Sequence, residues 1–285
     1  MLGLGNTVSN KSRKPIFHLT RINDLVGWWD FGDRTTMYTD NGTSIVTTHG
    51  DLIYRVDNKA YTLQRNNVNA MGSYLLQDTE TNRPIYSTGG GTLSCYFDGT
   101  DNFLFANKHS GSTATASMSA STINGADLTI FFINKAFSAS VAADNFLIGW
   151  NGADPTDFQK LYVDNDTNDR WQWHDGNATA RTNTLLNCGE NLTTNKELWT
   201  LHLDHTSQSS FYRNGVQADG INNSGSADNH NIDLSPNDND CSIRLGGSGS
   251  EYYRGYVMEV VIYNRALKEI ELRNVNNYLL TKHGL

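Results

Sequence analysis

Apolar and polar positions along the chain follow the pattern of many short β-strands. From residue 25 onward, segments such as 93–97, 128–133 and 256–263 carry apolar residues at every second position or on both faces. A strand that is apolar on both faces is typical of a sheet that is covered on both sides. Glycine, asparagine and aspartate separate these segments, and Asn214–Gly215 is a strong hairpin signal. The pattern therefore predicts an all-β fold.

The end of the chain combines a strand with a helix. Simple alternation along the strand predicts one face with Tyr256, Met258, Val260 and Ile262 and another with Val257, Val261 and Tyr263. Further on, Leu272, Val275 and Leu279 recur at helical spacing and predict one helix with a single apolar stripe. Gly284 stands where a C-cap glycine belongs. We expect the helix to lie across an edge or a face of the sheet.

Composition agrees with a single sandwich. Of the 285 residues, 38% are hydrophobic and only 18% are charged, and 25 glycines accompany 4 prolines. Such a chain can bury a sizeable core and relies on glycine and asparagine for its turns, which favours a sandwich over helix-rich or nucleotide-binding α/β folds. No internal repeat or linker divides the body, so we assign residues 25–285 to one domain.

Residues 1–24 differ from the rest of the chain. They show no sustained periodicity and contain no acidic residue before Asp24. Their cationic residues are Lys11, Arg13, Lys14 and Arg21. We predict an extended N-terminal arm, with two interpretations. The arm is either a frayed terminus or an anchor that docks the domain on a larger assembly, since basic segments often bind other surfaces.

Charge and cysteine usage limit the partners. A net charge of −8 argues against nucleic acid as the main partner. No segment approaches the ~18 apolar residues of a membrane-spanning helix, and no signal peptide is recognisable, so we expect no membrane insertion.

The 3 cysteines, Cys95, Cys188 and Cys241, lack the spacing of a zinc site. Their odd number favours free thiols and assembly in a reducing cytoplasm.

One stretch is rich in carboxylates. The aspartates concerned are Asp154, Asp157, Asp164, Asp166 and Asp169. Calcium prefers several carboxylate and carbonyl oxygens from irregular loops, so these aspartates are the candidate calcium ligands. Aspartate-rich loops also form turns without any metal, and this alternative stays open. We expect no cofactor to be required.

The same stretch leads into two tryptophans. Trp171 and Trp173 alternate with Gln172 and therefore share one face of a strand, and His174 follows them. On an open face, these residues would form a stacking platform for sugar rings. On a closed face, the tryptophans would be core, which their large apolar area favours.

The usual catalytic motifs are absent from the sequence. A retaining glucanase of a sandwich fold would carry Glu-x-Asp-x-x-Glu on one strand, because two carboxylates must flank the scissile bond. None of the glutamates begins such a motif, and the sequence contains no Gly-x-Ser-x-Gly, P-loop or His-Glu-x-x-His. We therefore predict a non-enzymatic protein.

Several segments resemble the laminin-G-like and concanavalin-A-like superfamily of jelly rolls. They are Leu-Val-Gly-Trp-Trp-Asp-Phe at 25–31, Leu-Ser-Cys-Tyr-Phe-Asp-Gly-Thr-Asp-Asn-Phe-Leu at 93–104, Glu-Leu-Trp-Thr-Leu-His-Leu-Asp-His at 197–205 and Phe-Tyr-Arg-Asn-Gly at 211–215. The strand and helix at the C-terminus complete the resemblance. It implies a two-sheet antiparallel jelly-roll sandwich with a short C-terminal helix. Lectins, hydrolases and structural domains share this fold, so it does not choose a function.

The opening Met-Leu-Gly-Leu-Gly-Asn with residues 25–31 is also similar to small laminin-G-like proteins of marine bacteriophages. This resemblance implies a virion protein made in the host cytoplasm, as capsid decoration or associated with a tail or fibre. The arm would bind other virion proteins, in several copies or as a homo-oligomer, and the jelly roll would contact host-surface glycans. The alternative is a free carbohydrate-binding module or a catalytically dead lectin that resembles a glycan hydrolase.

Overall fold

A computed structural model describes most of the chain. The described residues are 17–63, 71–89, 92–107, 127–138, 145–151, 158–164, 170–176, 184–204, 209–218, 222–224, 242–248 and 250–285.

Within these residues the chain forms twenty strands and two α-helices. The first ten strands are β1 (Leu25–Asp30), β2 (Met37–Tyr38), β3 (Arg55–Asp57), β4 (Tyr74–Leu76), β5 (Ile85–Ser87), β6 (Ser94–Asp98), β7 (Leu104–Asn107), β8 (Leu128–Ala136), β9 (Asn145–Asn151) and β10 (Phe158–Val163). The others are β11 (Arg170–Gly176), β12 (Thr184–Asn191), β13 (Lys196–Leu203), β14 (Ser210–Arg213), β15 (Val216–Gln217), β16 (Asn222–Ser224), β17 (Ser242–Leu245), β18 (Gly247–Ser248), β19 (Glu251–Tyr252) and β20 (Arg254–Tyr263). The helices are α1 (Lys59–Leu63) and α2 (Glu269–His283), and short 3₁₀ turns occupy Leu19–Arg21, Arg34–Thr36 and Glu80–Asn82.

The strands form two large antiparallel sheets. Sheet A has the order β15-β14-β13-β8-β20-β6-β5, with β1 also paired to β20. Sheet B has the order β16-β12-β11-β10-β9-β17-β7-β4-β3-β2. The hairpin β18–β19 lies where the chain passes from sheet B to sheet A. The prediction of an all-β, two-sheet antiparallel sandwich with a C-terminal helix is confirmed.

Aromatic side chains fill the space between the sheets. Trp29 and Trp199 point inward from sheet A, and Trp171 and Trp173 point inward from sheet B, all without solvent exposure. The ring of Trp171 packs edge-on against Phe132, with 4.8 Å between centroids. Such pairs contribute packing energy beyond the area that they bury.

A β-bulge in β20 changes which of its residues share a face. The register shifts between Val257 and Glu259, so Val257 joins Val260 and Ile262 on the inner face. Met258 lies on the outer face with Val261 and Tyr263. Strict alternation was therefore wrong across this point, because a bulge inserts one extra residue and changes the phase. On the other side of β20, Glu259 is directly opposite Asp30 of β1.

Helix α2 covers the outer face of sheet A. Its predicted stripe, Leu272, Val275 and Leu279, is buried against residues of the central strands such as Phe131 and Val261. The helix ends at Gly284 in the left-handed conformation, with φ 64°, as its C-cap position predicts.

The segment before β1 packs on the same face. Leu19 and Ile22 are buried in the cluster that contains the α2 stripe, and the ring of Phe17 lies 5.9 Å from that of Tyr278. The predicted arm of residues 1–24 is therefore too long, because residues 17–24 belong to the folded domain. The apolar residues of this stretch were too few to show a period in the sequence.

Candidate functional site

The two tryptophans proposed for ligand stacking lie in the core. Trp171 and Trp173 are fully buried between the sheets, and Trp171 also stacks on Tyr253 at 6.3 Å. The core interpretation is the one that the structure supports, and the open platform is wrong, because this face of β11 is the inner one. His174 lies on β11 opposite Lys160 of β10, and its side chain is outside the described part of the chain.

The other predicted residues fall mostly outside the described residues. This applies to Lys11, Arg13, Lys14, Asp154, Asp157, Asp166 and Asp169. Asp164 is described, and its Oδ2 accepts a hydrogen bond from Gln172 Nε2 at 2.5 Å. Arg21 is exposed in the first 3₁₀ turn. Among the described residues, no group of three or more histidine, cysteine, aspartate or glutamate side chains is placed to hold a metal ion.

The outer face of sheet B carries a continuous line of paired residues, which we call the outer row. Cross-strand register places its members side by side, and they are Tyr38, Arg55, Leu76, Phe105, Arg244, Gly149 and Lys160. Each alternates with an inward neighbour, as Arg244 does with Ile243 and Leu245. Both described α-helices pack on sheet A, so neither covers the outer row.

Two of the three cations in the outer row are neutralised. Arg55 Nε and Nη2 each lie 2.7 Å from Asp57 Oδ1, and its guanidinium stacks over Tyr74 at 4.0 Å. Lys160 Nζ lies 2.8 Å from both carboxylate oxygens of Glu251. These ion pairs form the two flanks of the row.

The third cation, Arg244, stands beside exposed aromatic surface. Its guanidinium carbon lies 5.5 Å from the ring centroid of Phe103, whose ring is 5.8 Å from that of Phe105. All three side chains are partly exposed. No described carboxylate forms an ion pair with Arg244, and its Nε is inaccessible and makes no hydrogen bond. A charged fork next to two aromatic rings can bind a ligand with both apolar and anionic parts.

This site was not predicted from the sequence, although a local signal was present. Ser-Ile-Arg-Leu at 242–245 places one large residue on the face opposite to the core residues, and Phe-Leu-Phe at 103–105 places two there. What the sequence does not show is that the two segments pair, with Arg244 opposite Phe105.

The outer face of sheet A holds a pair of facing carboxylates. Asp30 and Glu259 are cross-strand neighbours, and Lys282 Nζ lies 2.7 Å from Asp30 Oδ2 and from Glu259 Oε2. Such proximity would suit a retaining glycosidase. However, their side chains are only 5% and 1% exposed, and Lys282 lies between them. A substrate cannot reach this pair while α2 is docked.

A further buried carboxylate connects the two sheets. Glu197 of β13 accepts hydrogen bonds from Trp199 Nε1 and the Thr193 hydroxyl, and it pairs with Arg213. Arg213 also lies 2.6 Å from Glu190 of β12 in sheet B. Every oxygen of Glu197 is thereby engaged in structural contacts.

The fold and the outer row define an antiparallel β-sandwich with a partly exposed aromatic and cationic face. No family model matches the chain, and no curated protein matches it. Among solved structures, the CBM40 of Ruminococcus gnavus IT-sialidase bound to alpha2,3 sialyllactose is similar, at 15% identity and a TM-score of 0.46, over 64% of this chain and 95% of that one. Trypanosoma rangeli sialidase is similar at 16% identity and a TM-score of 0.49, over 92% of this chain.

The chain spans only 33% of the length of that sialidase. Structural similarity at this level assigns neither a ligand nor an activity to the chain. None of the described helices is long and apolar enough to cross a membrane.

Proposed function

We propose that the chain is a non-enzymatic glycan-binding domain displayed on a bacteriophage virion, as capsid decoration or associated with a tail or fibre. The observation that supports glycan binding is the outer row, where Phe103, Phe105 and Arg244 present aromatic surface beside a charged fork on a rigid sheet. Ligand sites typically combine aromatic surface with a few oriented polar groups.

The two faces of the sandwich support a division of roles. Phe17 and Leu19 pack with α2 on the outer face of sheet A. An anchor formed by the residues before Phe17 would therefore join the domain on the side opposite to the outer row. Attachment to other virion proteins through Lys11, Arg13 and Lys14 would leave the outer row accessible to a host surface.

The proposal that the chain is not an enzyme rests on the burial and the ion pairs of three carboxylates. Asp30, Glu259 and Glu197 are all buried, and each has a cationic partner. A catalytic pair needs one free acid and one free carboxylate that contact the substrate. The absence of catalytic motifs in the sequence agrees with this inference.

A glycan array tests the binding. We expect the wild-type protein to bind a subset of glycans and Phe105→Ala to lose this signal. Phe137→Ala is the matched control, because Phe137 is an exposed phenylalanine, 49% accessible, at the end of β8 in sheet A. Binding that survives Phe105→Ala, or a flat array for the wild type, would contradict the proposal.

Particle incorporation tests the virion role. We expect mass spectrometry of purified virions to find the chain in several copies, and a chain that lacks residues 1–16 to fold but to be missing from particles. A free carbohydrate-binding module would keep glycan binding and would be absent from virions. Incorporation of the truncated chain would contradict the anchor.

Calcium at the aspartate-rich stretch is part of the proposal as an optional ligand. Binding to Asp154, Asp157, Asp164, Asp166 and Asp169 would stabilise the folded state by mass action. We expect a higher melting temperature in calcium than in EDTA, and an unchanged melting temperature would contradict a calcium site.

A further inference from the structure

The charge along the outer row is confined to its centre. Asp57 neutralises Arg55 on one flank and Glu251 neutralises Lys160 on the other. Between them, Arg244 forms no ion pair with a described carboxylate, and no described hydrogen bond uses its terminal nitrogens. In a chain with a net charge of −8, this one guanidinium is a local site of positive potential.

We propose that this centre selects glycans that carry an isolated carboxylate, such as one uronate residue in an otherwise neutral oligosaccharide. The inference rests on the proposed glycan binding. The planar guanidinium presents paired N–H donors that match the two oxygens of a carboxylate. The rings of Phe103 and Phe105 lie next to it and offer apolar surface for the C–H face of the same sugar.

The flanks of the row argue against a polyanion. Asp57 and Glu251 already neutralise Arg55 and Lys160, so a ligand with a charge on every unit would meet a cation without a described carboxylate partner only at Arg244, and its other charges would lie opposite ion pairs with no net charge.

Titration calorimetry with two matched probes tests the inference. The probes are an oligosaccharide with one terminal glucuronate and its counterpart with a terminal glucose. We expect the wild-type protein to bind the glucuronate probe about tenfold more tightly or better, as a charge-assisted bidentate pair implies. Arg244→Gln should bring the ratio close to one and keep the affinity for the glucose probe.

The chain offers a matched control on the other sheet. Arg254 stacks over Phe137 at 4.1 Å, as Arg244 does over Phe103, so Arg254→Gln removes a stacked cation that belongs to sheet A and not to the outer row. We expect Arg254→Gln to keep the wild-type ratio and Arg244→Lys to give an intermediate one. Unchanged melting temperatures establish that each variant is folded.

The outcomes separate this inference from the proposed function. Equal affinity for the two probes, or an unchanged ratio in Arg244→Gln, overturns carboxylate selection and leaves glycan binding in place. Tighter binding of heparin than of the glucuronate probe overturns the preference for an isolated charge. Failure of the wild type to bind either probe, together with a flat array, overturns both.

Discussion

Lys282 Nζ lies 2.7 Å from Glu259 Oε2, and this contact joins the last turn of α2 to the central strand β20. The same ammonium reaches Asp30 of β1, while Trp28 Nε1 donates to Glu259 Oε1 at 2.6 Å. His283 Nε2 lies 2.6 Å from Glu259 Oε2. The polar end of the helix is therefore attached to the outer face of sheet A by ion pairs and hydrogen bonds, in addition to its buried apolar stripe.

Replacement of Lys282 should weaken the fold strongly. Lys282→Met leaves two facing buried carboxylates without their shared cation, and we expect a loss of about 3 kcal/mol in the free energy of unfolding. Arg273→Met is the control, since Arg273 is an exposed cation on the same helix, and it should change stability by less than about 0.5 kcal/mol. Urea denaturation measures both. A loss below about 1 kcal/mol for Lys282→Met would contradict the assigned role.

The contact between Lys282 and Asp30 also predicts how the stability of the fold depends on pH. Burial alone would raise the pKa of Asp30, but Lys282 and Lys59 together hold this pKa below its ordinary value. A lowered carboxyl pKa contributes stability above the unfolded pKa, and this contribution is lost as the pH falls through the folded pKa. We expect wild-type stability to decline below about pH 4 and Lys282→Met to decline less. Parallel curves from urea titrations between neutral and acidic pH would argue against the coupling.

Local patterns predicted most of the fold. The spacing of Leu272, Val275 and Leu279 predicted the buried stripe of α2, and Gly284 predicted where the helix ends. Both predictions were possible because helical periodicity and capping depend only on neighbours in sequence. The bulge at Met258 was not predictable from alternation, since a bulge depends on the partner strand.

The candidate site depends on long-range register in the same way. Arg244 and Phe105 are each visible as outward residues of short strands, but only the pairing of β17 with β7 brings them together. Likewise, Trp171 and Trp173 share a face in any register, and only the closure of sheet A over sheet B makes that face the core. Sequence patterns therefore located the strands and left open which faces are exposed.

The buried tryptophans should matter for stability. Trp171→Ala removes a fully buried indole that contacts Phe132 and Tyr253, and we expect a loss of about 3–5 kcal/mol. Phe137→Ala removes an exposed ring and should cost far less. Thermal unfolding compares the two variants. A stable Trp171→Ala protein would contradict the core assignment.

Two cysteines should be chemically inert in the folded protein. Burial raises the pKa of the Cys95 thiol, and burial likewise raises the pKa of Cys188 to about 11. Both are free thiols, and the thiolate is the reactive form.

Labelling of a Cys241→Ser variant with iodoacetamide at pH 8 tests this inertness. We expect mass spectrometry to find no label at Cys95 or Cys188 in the native protein and complete labelling of both in urea. The denatured sample is the control for reagent activity. Rapid native labelling of Cys188 would show that the strand β12 is more accessible than the structure describes.

The boundary of the N-terminal arm predicts a sharp difference between two truncations. Removal of residues 1–16 leaves the contacts of Phe17, Leu19 and Ile22 in place, so we expect the shorter truncation to be the more stable of the two. Removal of residues 1–24 also deletes Leu19 and Ile22, which are 0% and 6% exposed, and the carbonyl of Leu19 that accepts a hydrogen bond from the Tyr263 hydroxyl. Each buried aliphatic side chain contributes about 1.5–3 kcal/mol to the stability of the fold. The longer truncation should therefore have a free energy of unfolding that is several kcal/mol lower.

A point substitution tests the same boundary in the full chain. Leu19→Ala should cost about 2–5 kcal/mol, because it opens a cavity beneath α2. Leu63→Ala is the matched control, since Leu63 is 51% exposed at the end of α1, and it should cost little. Equal stability of these two variants, measured by urea denaturation, would mean that residues 17–24 do not belong to the folded domain.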